Sequence, residues 1–367
     1  MKTLDYPEGG HLWVYLNWAL SFAEKGWDVV WLDLAEAGDD DNAVRAKLER
    51  LRVRLAPFGF SDRIVILDAD GEGRHDACVD ADTPDVEADL LFNLRWLLPE
   101  QVVRRFPKTA LLDTDPGMVQ ISLRHGPETL PAYDARFTVG NDSFLDEAGD
   151  YLATGLTWHA MLPAVSLAHW PVTPVPQQGA FSTVSHWYMQ VWMHDADGVA
   201  YANDKQTAFE PYLHLPQSTG LPMSLALSLG GDAWTVGRLG ELGWEVREAH
   251  DEVSGLDQYQ AFIRRSAGEF SCCKPSYRRQ RTGWISDRTA CYLATGRPCV
   301  VEWSGPRPEL EGVDGLLRFR DPDEAAVMLR RVAADPAHHA SAARALAEEH
   351  FDGRKCVDRV LDLVGGV

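Results

Sequence analysis

The sequence predicts an α/β protein of two domains, each a parallel sheet covered by helices on both faces. Three observations predict it. The chain has 367 residues, beyond the roughly 250 to 300 at which a single hydrophobic core stops growing. Helical patterns alternate with short continuous apolar runs along its length, the mark of strands buried on both faces. A proline-rich stretch, HWPVTPVPQQGAF at 169–181, divides the pattern into two similar halves, because closely spaced prolines favour extended backbone. These place a first domain over 1–170, a linker over 171–180, a second domain over 181–350, and a last segment, 351–367, whose helix is placed to cross back to the first domain.

The elements follow in order. From His11 to Lys25 the residues Leu12, Val14, Tyr15, Trp18, Ala19 and Phe22 fall at helical spacing, and Gly26 stands where a C-terminal cap belongs. WDVVWLDL then reads as a buried strand. A helix over Asn42 to Leu55 leads to strands RIVILDA and DLLFNL, a short helix PEQVVRRF, and strands TALLDTD and RFTVG. In the second half, strand FSTVSHWY precedes helix DKQTAFEPYLHL, strand PMSLALSL, helix AWTVGRLGELG, strand WEVREA and helix LDQYQAFIRRSAG. Strand EFSCC, helix SDRTACYLATG, strands PCVVEW and LLRFR, and three helices over 321–335, 336–351 and 353–364 complete the chain. A first strand should precede the helix at His11, in the middle of its sheet, yet MKTLDY supplies few apolar residues for a buried position. Either that strand is short and degenerate or the natural start lies upstream.

Composition bounds the partners. Hydrophobic residues are 45% and charged residues 25%, ordinary globular usage. A net charge of -20 disfavours nucleic acid and anionic membrane, which an acidic surface repels. Cys78, Cys272, Cys273, Cys291, Cys299 and Cys356 form no C-x-x-C pair and no zinc spacing, so reduced thiols are expected. Without a basic leader or an apolar run of about 18 residues, the expected setting is soluble and cytoplasmic.

Against that acidic background, GEFSCCKPSYRRQRTGWISDRTACYLATGRPCVVEW (268–303) reverses the local charge with Lys274, Arg278, Arg279, Arg281 and Arg288. It reads as strand, basic loop, helix starting near Ser286 or Asp287, and strand. Free N–H groups and about half a positive charge at a helix amino terminus suit a diphosphate.

Here the sequence resembles the glycosyltransferases of the GT-B fold. Ala294, Thr295, Gly296, Arg297, Pro298, Cys299, Val300 and Val301 resemble their A-x-G-x-P-V-V element, and Gly283, Trp284 and Ser286 their G-W-x-S stretch. The opening P-E-G-G-H (7–11) and its amphipathic helix resemble the glycine-and-histidine loop of their N-terminal domain. The resemblance implies two Rossmann-like domains facing across a cleft, the acceptor held by the first and a nucleotide sugar, UDP- or dTDP-linked, by the second. Transfer to a hydroxyl-bearing small molecule is implied, with no metal and no cofactor besides the co-substrate, and a homodimer is one assembly it admits. It assigns donor binding to Gly9, Gly10, Lys205, Lys274, Gly283, Trp284, Ser286, Asp287 and Arg288. His11 becomes the candidate general base, its tautomer held by Asp113 or Asp115 at the end of TALLDTD. The glutamate pair of retaining families is absent, its slots falling near Gly283 and Cys291, so retention and inversion both stay open. A sugar-nucleotide 2-epimerase and a non-catalytic nucleotide-sugar-binding protein are the alternatives. Asp113-Thr114-Asp115 also resembles the metal-holding D-x-D element of another glycosyltransferase fold.

Overall fold

In the computed structural model, which describes residues 3–76, 87–144, 152–189 and 191–365, the apolar runs become parallel strands. The first half begins with helix α1 (Gly9–Glu24) and continues through β1 (Trp31–Leu34), β2 (Ile64–Leu67), β3 (Leu90–Asn93), β4 (Lys108–Asp113), β5 (Ala135–Thr138) and β6 (His159–Ala160). The second half contains β7 (Phe181–His186), a small antiparallel pair β8 (Trp192–His194) and β9 (Ala200–Ala202), then β10 (Met223–Ser228), β11 (Trp244–Glu248), β12 (Gly268–Ser271), β13 (Cys299–Glu302) and β14 (Leu316–Phe319). Its six-stranded sheet has the order β11-β10-β7-β12-β13-β14, every pair parallel. The first half carries two separate parallel pieces, β1-β2 and β3-β4-β5-β6.

Local chemistry explains the boundaries. Asp40 caps the helix Asp41–Leu55 by accepting from the Ala43 N–H at 2.8 Å, and Asp321 and Asp335 cap two of the last helices, each followed by a proline in the first turn. α1 is buried around most of its circumference, from Leu12, Trp13 and Leu16 to Trp18, Leu20 and Phe22, so it is a core helix rather than a surface one. It shares a core with the second half, including Tyr259, Cys291 and Ala343. The helix Gly353–Val364 returns to the first half, where Val357 and Val360 pack with Trp18, Ala110 and Phe137.

Some expectations change. Residues 3–5 form a turn, not a strand. The helix expected over DKQTAFEPYLHL breaks into Lys205–Phe209, a tight turn Glu210–Tyr212, and Leu215–Thr219, because Pro211 and Pro216 lack N–H donors and each starts a new turn. Helices Met118–His125 and Pro275–Arg279 and the pair β8-β9 appear in stretches read as loop or as part of another element. Cys78 lies outside the described residues, and the other five cysteines are buried thiols.

Two buried arginines fix the halves to the linker and to one another. The Arg297 guanidinium donates to the Thr173, Pro174 and Arg264 carbonyls, tying the linker to the second domain. Arg307 donates from Nη2 to the carbonyls of Val139 and Gly140, both at 2.7 Å, and from Nε to that of Gly283 at 2.9 Å. These carbonyls lie in loops beyond the strands, and the guanidinium supplies donors to them. Arg307→Met, which keeps bulk and removes the donors, is expected to cost about 3 kcal/mol or more, read as a lower urea midpoint at unchanged m-value.

Candidate functional site

The carboxyl ends of the two sheets meet. From the first come the loops after β4 (Asp113 to Gly117) and β5 (Val139 to Asn141); from the second come the loop after β12 (Cys272 to Ile285) and the turn after β13 (Ser304 to Arg307). The Asn141 N–H donates to the Thr282 carbonyl at 2.7 Å, and its side-chain amide to the Arg281 carbonyl at 2.9 Å. Gly283 has φ of +66°, and a Cβ there would stand 2.8 Å from the Pro306 carbonyl oxygen and 2.9 Å from the Asn141 amide. Only glycine lets the loop turn this close to the facing domain.

Gly9 and Gly10 work in a similar way at the start of α1. A Cβ on Gly9 would lie 1.9 Å from the Val253 carbonyl oxygen, and one on Gly10 would lie 2.7 Å from the Tyr259 ring. The Gly9 N–H donates to the Ser254 carbonyl at 2.9 Å. The close approach made by these two glycines is thus to the second domain itself, at the end of the helix Ala249–Val253. His11 follows, its ring centroid 5.1 Å from that of Tyr15. Farther along α1, Trp13 Nε1 donates to the Leu256 carbonyl at 3.0 Å and the Asn17 amide donates to Cys291 Sγ at 3.7 Å. α1 therefore lies beside the helix Asp287–Ala294.

At the head of that helix, Ser286 is the N-cap, its Oγ accepting from the Arg288 N–H at 3.3 Å. Burial raises the Asp287 carboxyl to about 6. Lys274 Nζ lies 3.7 Å from Asp115 Oδ1, and the Tyr277 hydroxyl donates to the same oxygen. Tyr277 stacks on Trp284 with centroids 4.6 Å apart, and Lys205 Nζ lies 5.7 Å from the centre of the Trp284 ring while donating to the Cys272 carbonyl. Burial, reinforced by the Arg288 charge, lowers the Lys205 ammonium to about 8. Asp115, Lys205, Lys274, Tyr277, Trp284 and Asp287 thus form one cluster spanning the two domains.

Other expected cations are spent elsewhere. Arg288 donates from Nε to Glu269 Oε1 at 2.8 Å and from Nη1 to the Val184 carbonyl at 2.7 Å, so its charge is balanced inside the second domain. Arg278 pairs with Glu302 at 2.9 Å and Arg279 with Asp195 at 3.4 Å, and both line a small separate cavity. Trp187 is in the core beside Phe209. Sequence reasoning missed Asn141, Tyr277, Gln280 and Arg307. The Gln280 amide is buried against Gly117, and both of its polar atoms have no hydrogen-bond partner among the described residues. No local pattern marks these residues, because their partners lie far away in sequence.

Asp113 is buried, and its oxygens accept from the Asp115 N–H at 2.9 Å, Thr138 Oγ1 at 3.1 Å and Gln120 Nε2 at 3.2 Å. These bonds turn the carboxyl toward its own loop and strand. The D-x-D reading needs both carboxylates to face one space, and Asp113 does not share one with Asp115. Burial raises Asp113 to about 7, against about 3.9 in an unfolded chain. With the folded value higher, the native state binds more protons between the two. The stability this group contributes is fully present below about pH 4 and is lost as pH rises to about 7. Relative to Asp113→Asn, the natural chain should lose up to about 1.4 kcal/mol of unfolding free energy per pH unit across that window. Urea titrations at several pH values check this, and parallel profiles for the two chains would contradict it.

No family model matches the chain, and no curated protein matches it in sequence. Solved structures do resemble it. Sucrose-phosphate synthase from Thermosynechococcus elongatus aligns over 97% of this chain and 92% of its own, at 10% identity and a TM-score of 0.55. AviGT4, a glycosyltransferase involved in Avilamycin A biosynthesis, aligns over 89% of this chain and 90% of its own, at 11% identity and a TM-score of 0.50. With so little sequence in common, the likeness is one of architecture, and it covers both domains. The chain has the GT-B-like α/β fold, two Rossmann-like domains meeting at the carboxyl ends of their strands.

Proposed function

We propose that the chain is a glycosyltransferase that moves a sugar from a nucleotide donor, UDP- or dTDP-linked, to a hydroxyl of a small-molecule acceptor. One observation carries the reading. Lys205, Lys274 and the amino terminus of the helix Asp287–Ala294 gather at the carboxyl end of the second sheet, against the α1 helix that bears His11. In open α/β sheets ligands bind there, and a helix start with nearby ammonium groups suits a diphosphate. The shared architecture with AviGT4 is consistent with this.

In this reading the second domain holds the donor. Lys205, Lys274 and the N–H groups near Ser286 and Asp287 offset charge on the departing diphosphate, and Trp284, stacked on Tyr277, fixes the wall beside them. Gly283 keeps that wall close to the facing domain. His11 takes the proton from the acceptor hydroxyl as the new glycosidic bond forms. Asp115, bound to Lys274 and Tyr277, holds the two domains in register, and Asp113 shapes the loop that presents it. A protein that binds a nucleotide sugar without transferring it is the second reading, favoured by the engagement of Asp115 with Lys274 and Tyr277 and by the absent glutamate pair. Labelled nucleotide sugars incubated with and without acceptors separate the two, since only transfer yields an acceptor-dependent product.

Two outcomes test the roles. His11→Ala should lower kcat about 10²- to 10⁴-fold while thermal shift by UDP or dTDP stays nearly unchanged; full turnover in that variant refutes the base. If the Lys205 ammonium contacts the diphosphate, the Kd for UDP should be flat below about pH 8 and weaken by up to about tenfold per pH unit above it. Lys205→Met should bind more weakly and lack that break. A break that survives the substitution assigns it to another group.

A further inference from the structure

The second domain shows an arrangement that the described residues of the first do not complete. There β7, the strand that opens the domain, lies in the middle of the sheet, paired with β10 on one side and β12 on the other. The first domain has the same succession of elements after its opening position. Its strands would run β2-β1, then an opening strand, then β3-β4-β5-β6, but β1 pairs only with β2 and β3 only with β4 among the described residues. Among the described residues the sheet is broken where a strand leading into α1 would belong.

The break is a cavity of about 200 Å³ that opens to solvent. Consecutive residues from Trp31 to Leu34 form one wall and consecutive residues from Leu90 to Arg95 the other, so its sides are two strand edges. Trp18 and Phe22 of α1 close one face and Leu98 and Phe106 line it as well. The N–H groups of Trp31 and Ala35 donate to the β2 side, to the Arg63 and Leu67 carbonyls. By the alternation of a parallel ladder, those of Leu32 and Leu34 point the other way, into the cavity. Leu34 is satisfied by Asp33 Oδ1 at 2.9 Å. The other oxygen of Asp33 accepts from Thr3 Oγ1 at 2.7 Å and from the Leu4 N–H at 2.8 Å. Residues 3 and 4 are therefore anchored at the carboxyl end of β1, where a parallel strand in the cavity would emerge.

We propose that this cavity seats a β-strand of the same polypeptide, supplied by the sequence immediately before residue 1. The strand is apolar throughout and about five or six residues long. It runs parallel to β1 and β3, pairs with both, and leads through Thr3 into α1. A strand covered on both faces reads as a continuous apolar run, which MKTLDY is not. A small ligand would match few of the main-chain groups along the two edges, whereas a peptide strand pairs with them in series. A strand joined to Thr3 through Met1 and Lys2 also needs only a short loop closure, which favours it over one from a second copy.

Two measurements test this. Intact mass and amino-terminal peptides of the protein purified from its natural source should show a mass above the 40.9 kDa of the 367 residues and an apolar run ending close to Met1. A natural amino terminus at Met1 or Lys2, or a preceding stretch rich in charge, overturns the proposal. Hydrogen exchange then compares the natural-length chain with the 367-residue chain. The Leu32 amide should exchange at least 100-fold more slowly in the longer one. Equal rates overturn the proposal, as does a Leu32 amide protected in the 367-residue chain only when that chain dimerises.

Discussion

Two parallel sheets that meet at their carboxyl ends bring loops against loops, and the backbone groups of those loops have no ladder to join. The structure depends on how that problem is solved. Arg307 donates to carbonyls from both domains, and the Asn141 side chain reaches across to the Arg281 carbonyl. Each bond replaces water that burial has removed, so losing one leaves an unmet acceptor rather than a solvated one. The interface is consequently set by directional contacts, and the separation of its walls is held by glycine at 283, where any side chain would meet the facing domain.

The same burial sets the electrostatics. On a chain with net charge -20, carboxylates at the interface would ordinarily be ionised and would repel an anionic ligand. Desolvation lifts Asp113 to about 7, which weakens that repulsion near neutral pH, and Asp287 to about 6, which weakens it only at mildly acidic pH. It also lowers Lys205 to about 8, so that the ammonium is still charged at neutral pH but readily loses its proton. A region can therefore favour a diphosphate inside an acidic protein without carrying many unpaired cations. That matters here because Arg278, Arg279 and Arg288 are balanced by Asp195, Glu269 and Glu302.

Much of the architecture was legible because buried parallel strands are apolar on both faces and need no alternation to reveal them. IVIL, LALS and CVVE all fall in observed strands. Glycines at 26, 59 and 296 all adopt positive φ, as stop signals should. The pair β8-β9 was not legible because its strands are three residues long and Trp192 is exposed. The helix Met118–His125 starts after Gly117 without a side-chain cap, so its beginning carries no Ser, Thr or Asp signal. The candidate site divides in the same manner. Lys274, Trp284 and Ser286 stand in a recognisable strand-loop-helix, whereas Tyr277 was visible as an aromatic but not as the partner of Asp115. The choice of partner was decided by a contact 162 residues apart in sequence.

α1 links these threads. It opens the first domain in sequence, yet Trp13 and Asn17 bond to the second, and its apolar surface belongs to a core drawn from both. The piece β1-β2 reaches that shared core through Trp31, Ile64 and Ile66. The piece β3-β4-β5-β6 instead packs with Trp18, Phe22 and the returning helix Gly353–Val364. The two pieces touch one another through Leu34, Val65, Leu91 and Leu111, without a shared ladder among the described residues. A strand hydrogen-bonded to both would make them one sheet and, because it leads directly into α1, would set the height at which Gly9, Gly10 and His11 stand above the carboxyl ends. The position of the candidate base relative to Asp115 would then be fixed by main-chain pairing, which tolerates less displacement than side-chain packing alone.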